Sequence, residues 1–172
     1  MNEYVHIGKI VASHGLEGHV VIIHSLARKL IFKKGQILFL EENKHSYIPW
    51  FVESAKAKDQ EEMYVKFEGM NSKESTKKII QKRVWLADAD FRSMVNKGSS
   101  LALLGFVVIS EGKKLGPVEE IIEQPHQVLL RITINQKEVL IPLHEETLDK
   151  IDHNKKEIYV SLPEGLLDIY LE

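Results

Sequence analysis

Cysteine is absent from the 172-residue sequence, which excludes disulfide bonds, thiolate metal ligands and a cysteine nucleophile. Long apolar runs are also missing, since no stretch reaches the roughly 18 residues that a membrane helix needs. The N-terminus lacks the basic and apolar regions of an export signal. These absences predict a cytoplasmic protein that makes no membrane contact.

A large net charge of either sign is lacking too, because the formal charge is only −2. This argues against a protein that holds nucleic acid by bulk electrostatics alone. Residues 1–97 carry 16 Lys and Arg against 12 Asp and Glu, a balance of +4. Residues 98–172 carry 7 against 13, a balance of −6. The asymmetry favours two different partners, one anionic and one cationic.

Hydrophobic residues make up 44% of the chain and charged residues 28%, which is enough to bury a core and remain soluble. Short β-rich runs with closely spaced turn residues are typical of small β-barrels rather than of a βαβ sheet. We therefore predict a mainly β protein of two small barrels. The predicted domains are residues 1–90 and 101–172, joined by a linker at 91–100 that is rich in Gly, Ser and Asn.

The first domain contains several strand-like runs and one predicted helix. The first two strands meet at Ser13–Gly18, where two glycines allow a tight connection. The helix is predicted to begin at Asn71 or Ser72, with Glu74 three residues after Asn71 as in a capping box, and to continue to about Lys82. The predicted strands are 5–11, 20–23, 37–40, 47–53, 63–68 and 84–86.

The second domain shows about five strand-like runs, which suffice for a small closed barrel. Polar turns separate them, for example at Asn135-Gln136 and at 152–154. The predicted strands are 104–109, 115–122, 127–134, 138–142 and 157–162.

No set of residues has the spacing that catalysis or metal binding requires. His14, His19 and His24 recur every five residues, which matches neither a helix face nor a strand face. We therefore expect His14 to lie in the glycine turn, and His19 and His24 to be surface or half-buried strand residues. Gly15–Gly18 lacks the strand-to-helix context of a nucleotide-binding loop. The sequence therefore predicts no catalytic residue, no metal and no cofactor. An unrecognised hydrolase site has no cluster to support it.

RNA binding has partial support from the sequence. The predicted helix presents lysines that are suited to phosphate contacts, although a merely solvated basic face is an equal alternative. The aromatic residues are scattered, and no stacking platform of the kind found in RNA-binding sheets is visible.

The segment Ile7–Val20 resembles the start of RimM proteins, whose signature is a Gly-Lys/Arg-Ile strand, a His-Gly-Leu-x-Gly turn and a Val-containing strand. Val65–Met70 followed by a helix is similar to the family's next passage. The second half is similar to the family's PRC-barrel at six places: Leu103–Val108, Gly112, Leu115–Val118, Val139–Pro142, Asp152 and Leu162–Leu167. Together the two halves extend the resemblance over nearly the whole chain.

This resemblance implies a non-enzymatic, two-barrel factor that binds the immature small ribosomal subunit near its head. It also implies contact with the nineteenth small-subunit ribosomal protein and assistance in processing the small-subunit RNA without cutting it. The family often carries aromatic residues just before the Leu103–Gly105 strand, but here Gly98–Ala102 contains none. Because buried aromatics dominate interface energy, we expect the contact to shift elsewhere in the barrels.

Our hypothesis assigns the acidic second barrel to a basic ribosomal protein and the first barrel to ribosomal RNA, with the chain acting as a monomer. A stand-alone RNA-binding β-barrel is the main alternative. A structural PRC-barrel module of the photosynthetic type is a weaker one, because the first barrel does not fit it. The candidate partner-binding residues are His14, Gly15, Leu16, Gly18, Lys73, Lys77, Lys78, Phe106, Leu115, Gly116 and Pro142.

Overall fold

A computed structural model describes residues 3–24, 26 and 28–171. They form two compact units, one of Glu3–Phe91 and one of residues 92–171. Both units are built mainly from strands, which confirms the predicted mainly β class. The described helices are short, and none is long and apolar enough to cross a membrane. They are α1 Lys73–Thr76, α2 Asp88–Met94 and α3 Leu166–Leu171.

The first unit is a closed, antiparallel, six-stranded barrel in the order β1-β2-β5-β4-β3-β6. The ring closes because β6 pairs with both β1 and β3. Its strands are β1 Tyr4–His14, β2 His19–His24, β3 Ile37–Asn43, β4 Ser46–Ala57, β5 Glu62–Phe67 and β6 Arg83–Ala87.

Strict alternation on β5 shows how the sequence fills this barrel. Met63, Val65 and Phe67 are fully buried, whereas Tyr64 and Lys66 between them are half-exposed. Successive side chains of a strand point to opposite faces, so the apolar set lines the interior. Each large apolar side chain buried in this way contributes about 1.5–3 kcal/mol.

The start of α1 confirms the predicted helix boundary at Ser72 but corrects the residues that form the capping box. The Ser72 Oγ accepts a hydrogen bond from the Ser75 N–H at 3.2 Å, and the Ser75 Oγ accepts one from the Ser72 N–H at 3.3 Å. The capping box therefore joins Ser72 to Ser75, and the predicted pairing of Asn71 with Glu74 is wrong.

The helix also ends earlier than predicted. After α1 the chain forms a 3₁₀ turn at Lys77–Ile79, and Gln81 then takes a positive φ of 72°. A left-handed residue stops helical hydrogen bonding, so the predicted extension to Lys82 is wrong. Ile79 in the 3₁₀ turn is buried, with 1% of its surface exposed.

The second unit contains seven strands in two sheets, with orders β11-β10-β9 and β12-β13-β7-β8. Neighbours are antiparallel except for the parallel pair β7 and β13. The strands are β7 Val107–Ser110, β8 Lys113–Pro117, β9 Glu120–Gln124, β10 Gln127–Ile134, β11 Lys137–Leu143, β12 Leu148–Asp152 and β13 Glu157–Val160.

Helix α2 occupies a stretch in which the sequence shows no period. It buries only one side chain, that of Phe91, and one apolar position is too few to produce a helical pattern. Asp88 and Asp90 in its first turn favour the positive end of the helix dipole. The predicted linker at 91–100 therefore begins inside a helix.

Candidate functional site

The hairpin tip, residues 14–18, joins β1 to β2 and is exposed. Gly15 has φ +66°, and a Cβ added there would meet nothing within 4 Å. The Leu16 side chain is 77% exposed. Four consecutive exposed residues, 14–17, thus project from the end of a rigid antiparallel hairpin.

Gly18 differs from the rest of the tip because it is buried. Its φ is +94°, and an added Cβ would lie 2.2 Å from the carbonyl oxygen of Met70. The Lys73 N–H donates a hydrogen bond to the carbonyl of Leu16 at 3.1 Å. Gly18 is therefore a packing position, and the structure brings the predicted tip and the predicted basic helix together.

His14 stacks on Tyr64, with ring centroids 4.1 Å apart and planes 27° from parallel. Tyr64 faces outward on β5 because Met63 and Val65 face inward. Lys56 is paired with Tyr64 across β4 and β5 and therefore faces the same side. Together they border a groove of about 440 Å³, called here the tip groove, lined by His14, Gly15, Leu16, Glu17, His19, Ser54, Ala55, Lys56 and Tyr64.

The tip groove combines aromatic, apolar and cationic groups. Lys56 is exposed and makes no ion pair within the described part of the chain. Lys66 follows Tyr64 by two positions on β5 and faces the same side, but its amine lies 3.7 Å from a carboxylate oxygen of Glu53. Glu17 is the single carboxylate in the lining. An anion beside Lys56 and a flat ring beside His14 are the groups that this arrangement suits.

The basic helix, α1 with its 3₁₀ turn, exposes all three predicted lysines, Lys73, Lys77 and Lys78. Lys77 lies 2.9 Å from Glu74, and both side chains are more than two-thirds exposed, so the pair adds little stability. The Lys78 amine lies 5.3 Å from the centre of the Trp50 ring, a cation–π distance. These amines remain accessible to an external anion.

In the second unit, the candidate Phe106 is almost completely buried, with 3% of its surface exposed. The Arg92 guanidinium lies 5.1 Å from its ring centre, and the His153 ring packs edge-on at 5.7 Å. Arg92 also donates hydrogen bonds to the carbonyls of Ala102 and Leu104. Phe106 forms part of the wall of a cavity of about 410 Å³ rather than an exposed anchor.

Leu115 and Gly116 lie on β8, and Gly116 does not meet Pro142 at one point of the second unit. A Cβ added at Gly116 would lie 3.4 Å from the carbonyl oxygen of Thr133, whereas Pro142 pairs with Leu129. These partners are four residues apart on β10, about 13 Å. Pro142 sits on β11, which ends its sheet, and an edge is where a strand tolerates proline.

The acidic residues of the second unit differ in whether a cation accompanies them. Arg131 lies 2.7 Å from Glu120, 3.0 Å from Glu138 and 3.7 Å from Glu119, so these three carboxylates share one cation within the sheet. The acidic turn, Glu145 and Glu146 between β11 and β12, is exposed and makes no ion pair among the described residues. It is the more available surface for a cationic partner.

A second aromatic group lies on the outer face of the first barrel. Tyr4 contacts Phe39 at 4.6 Å and Tyr47 at 4.8 Å, and Trp85 contacts Tyr47 and His6, each at 5.0 Å. The apparent scatter of aromatic residues in the sequence is therefore misleading, since strand pairing gathers these five rings. The signal available in the sequence was that these residues occupy outward-facing positions, which alternate with inward-facing ones along a strand.

The three regularly spaced histidines fall in three environments. His14 is exposed and His19 is half-buried, as expected, but His24 is buried, with 2% of its surface exposed. The prediction of a surface or half-buried residue is therefore wrong for His24. Burial lowers the pKa of His24, and the nearby charge of Asp59 offsets part of that effect. No group of three potential metal ligands occurs in the described ranges.

A closed six-stranded barrel with an exposed tip, followed by a unit of two β-sheets, defines a two-domain, mainly β protein. Residues 5–91 match the family model of the RimM N-terminal domain, and residues 101–166 match that of the RimM PRC barrel domain. The chain belongs to the RimM family, which confirms the resemblance drawn from the sequence.

Relatives match this chain along nearly its full length. A protein of Oleidesulfovibrio alaskensis named ribosome maturation factor RimM is 30% identical, and the alignment covers 99% of this chain and 98% of the relative. The protein of the same name from Flavobacterium johnsoniae is 27% identical, with 98% of each chain covered. A crystal structure of RimM from Pseudomonas aeruginosa, 18% identical, covers 93% of this chain and 98% of its own with a TM-score of 0.42.

Proposed function

We propose that this chain is a ribosome maturation factor that binds the immature small ribosomal subunit and assists its assembly and the processing of its RNA, without itself catalysing a reaction. The observation that carries this proposal is the match of both RimM domains in order, together with full-length relatives that bear that name. The proposed site of action is the cytoplasm, and the proposed acting form is the monomer.

Within this function, the second barrel contacts the nineteenth small-subunit ribosomal protein in the head of the subunit. The balance of −6 over residues 98–172 and the exposed acidic turn support a basic protein as its partner. Complementary charge of this kind raises the rate of encounter and selects partners more than it raises affinity. A modest affinity also suits a factor that has to leave the mature particle.

The first barrel contacts the ribosomal RNA in this proposal. Its support is the position of the hairpin tip beside the basic helix, with the Lys73 N–H bonded to the Leu16 carbonyl. One continuous surface thereby combines exposed lysines with the tip groove. Contacts of lysine with phosphate fix position and add a salt-dependent share of the affinity.

The test is to express the chain in a bacterium that lacks its own RimM and to measure the ratio of precursor to mature small-subunit RNA. The purified full chain is also sedimented with immature and with mature small subunits. We expect a lowered precursor ratio and preferential binding to the immature particle. Equal binding to both particles with an unchanged precursor ratio would contradict the proposal and favour a stand-alone RNA-binding module.

A further inference from the structure

We infer that the tip groove binds one unpaired nucleotide of RNA, whose base stacks on His14 and whose phosphate lies near Lys56. This inference rests on the proposed function, because it assumes that the first barrel faces ribosomal RNA. It adds to that function the form of RNA that is recognised and the residues that recognise it.

The stack of His14 on Tyr64 provides the surface for the base. The pair is already nearly parallel, and His14 is exposed, so a base laid on its ring would lengthen an existing stack. Stacking is the usual way in which proteins hold unpaired bases, because every base has a flat π-face. Tyr64 lies on β5, which is paired with β2 and β4 in the barrel wall, and its ring supports one face of His14.

The size and the polarity of the groove fit a nucleotide. Its volume of about 440 Å³ lies within the roughly 300–1,000 Å³ of pockets that take small ligands. Leu16 adds an exposed apolar side chain for the edge of the base or the sugar. Lys56 supplies a cation for the phosphate, and the Ser54 hydroxyl in the lining is suited to the 2′-hydroxyl.

The same geometry favours unpaired RNA over a duplex. Bases in a duplex are stacked on their neighbours, so they do not offer a free face to a single ring at the end of a hairpin. The backbone N–H of Lys73 is bonded to the Leu16 carbonyl, so this exposed lysine lies next to the tip and offers a second cation for a flanking phosphate. A loop or an immature, unfolded strand of RNA would present both the base and the flanking phosphates.

The test measures binding of a labelled single-stranded hexanucleotide RNA to the full chain, with the same RNA in a duplex and inorganic polyphosphate for comparison. The variants are His14→Ala, Tyr64→Ala and Lys56→Ala, with Tyr64→Phe to restore the ring without the hydroxyl. His126→Ala is the matched control, since His126 is exposed in the turn between β9 and β10 of the other unit. Thermal unfolding of each variant checks that the barrel is intact.

We expect His14→Ala and Tyr64→Ala each to weaken binding of the single strand about tenfold, while Tyr64→Phe and His126→Ala retain it. Lys56→Ala should weaken binding less and reduce its salt dependence. Equal binding of duplex or polyphosphate, or no loss in the folded ring variants, would overturn the inference. If the unaltered chain still prefers the immature subunit after such a result, the proposed function stands. If the unaltered chain shows no such preference, the proposed function itself is wrong.

Discussion

At the scale of single residues, Gly15 and Gly18 share a positive φ but differ in their surroundings. In Gly15→Ala the added methyl group enters open space, so the substitution lowers stability only through backbone strain at positive φ, by about 1–2 kcal/mol. Alanine at Gly18 also places a methyl group 2.2 Å from the Met70 carbonyl, which forces the chain apart. We expect Gly18→Ala to lower the free energy of unfolding by about 3 kcal/mol or more, and Gly15→Ala by much less.

Denaturant unfolding of the two variants measures this difference, and each acts as the control for the other. Equal losses would mean that the contact of Gly18 with the Met70 segment is not rigid.

The sequence identified the tip residues but not their aromatic partner. Two glycines in a short turn between strands indicate an exposed connection from local chemistry alone. Tyr64 lies 50 residues after His14, and only the pairing of β2 with β5 and of β1 with β2 brings the two rings together. Phe106 is a different case, because it is buried and Arg92 and His153, which no local pattern connects to it, pack against its ring.

At the scale of elements, the capping box of α1 fixes where the basic helix begins. The Ser72 side chain satisfies the Ser75 N–H, and loss of an N-cap hydroxyl costs about 1 kcal/mol. We therefore expect Ser72→Ala to destabilise the first unit by about this amount and to speed amide exchange at Ser75. Asn71→Ala is the matched control, because Asn71 is exposed and Ser72 provides the cap.

Unfolding measurements together with hydrogen exchange decide this prediction. An equal loss of stability in Asn71→Ala would show that the cap moves between the two residues. Slower or unchanged exchange at Ser75 in Ser72→Ala would show that tertiary packing, rather than the cap, holds the helix start.

Strands with clear alternation were predictable, and elements without it were not. β10 follows its predicted bounds, and its two buried side chains, Leu130 and Ile132, lie at alternate positions as a strand requires. The predicted strand 115–122 is two strands, since Gly116 has φ +147° and Pro117 ends the ladder. β12 escaped prediction because its sequence, Leu148–Asp152, has charged residues at three of five positions.

At the scale of the whole molecule, the sequence predicted two mainly β domains but not the order of their strands. Hydrophobic alternation specifies which face of a strand is buried, whereas neighbours in a sheet are chosen by packing between distant segments. The pairing of β2 with β5 and of β3 with β6 closes the first barrel through such distant contacts. The charge difference between the two halves needs no such information and is visible from composition alone.

That charge difference leads to a reciprocal prediction. Glutamine at Lys73, Lys77 and Lys78 removes three exposed cations, so the slope of log affinity for single-stranded RNA against log salt should fall by up to about 2. Glutamine at Glu145 and Glu146 removes the acidic turn and should slow association with the nineteenth small-subunit protein. Each variant is the control for the other, because each leaves the opposite unit unaltered. If both variants weakened binding to both partners equally, net charge alone would govern binding. The assignment of RNA to the first unit and of the ribosomal protein to the second would then be wrong.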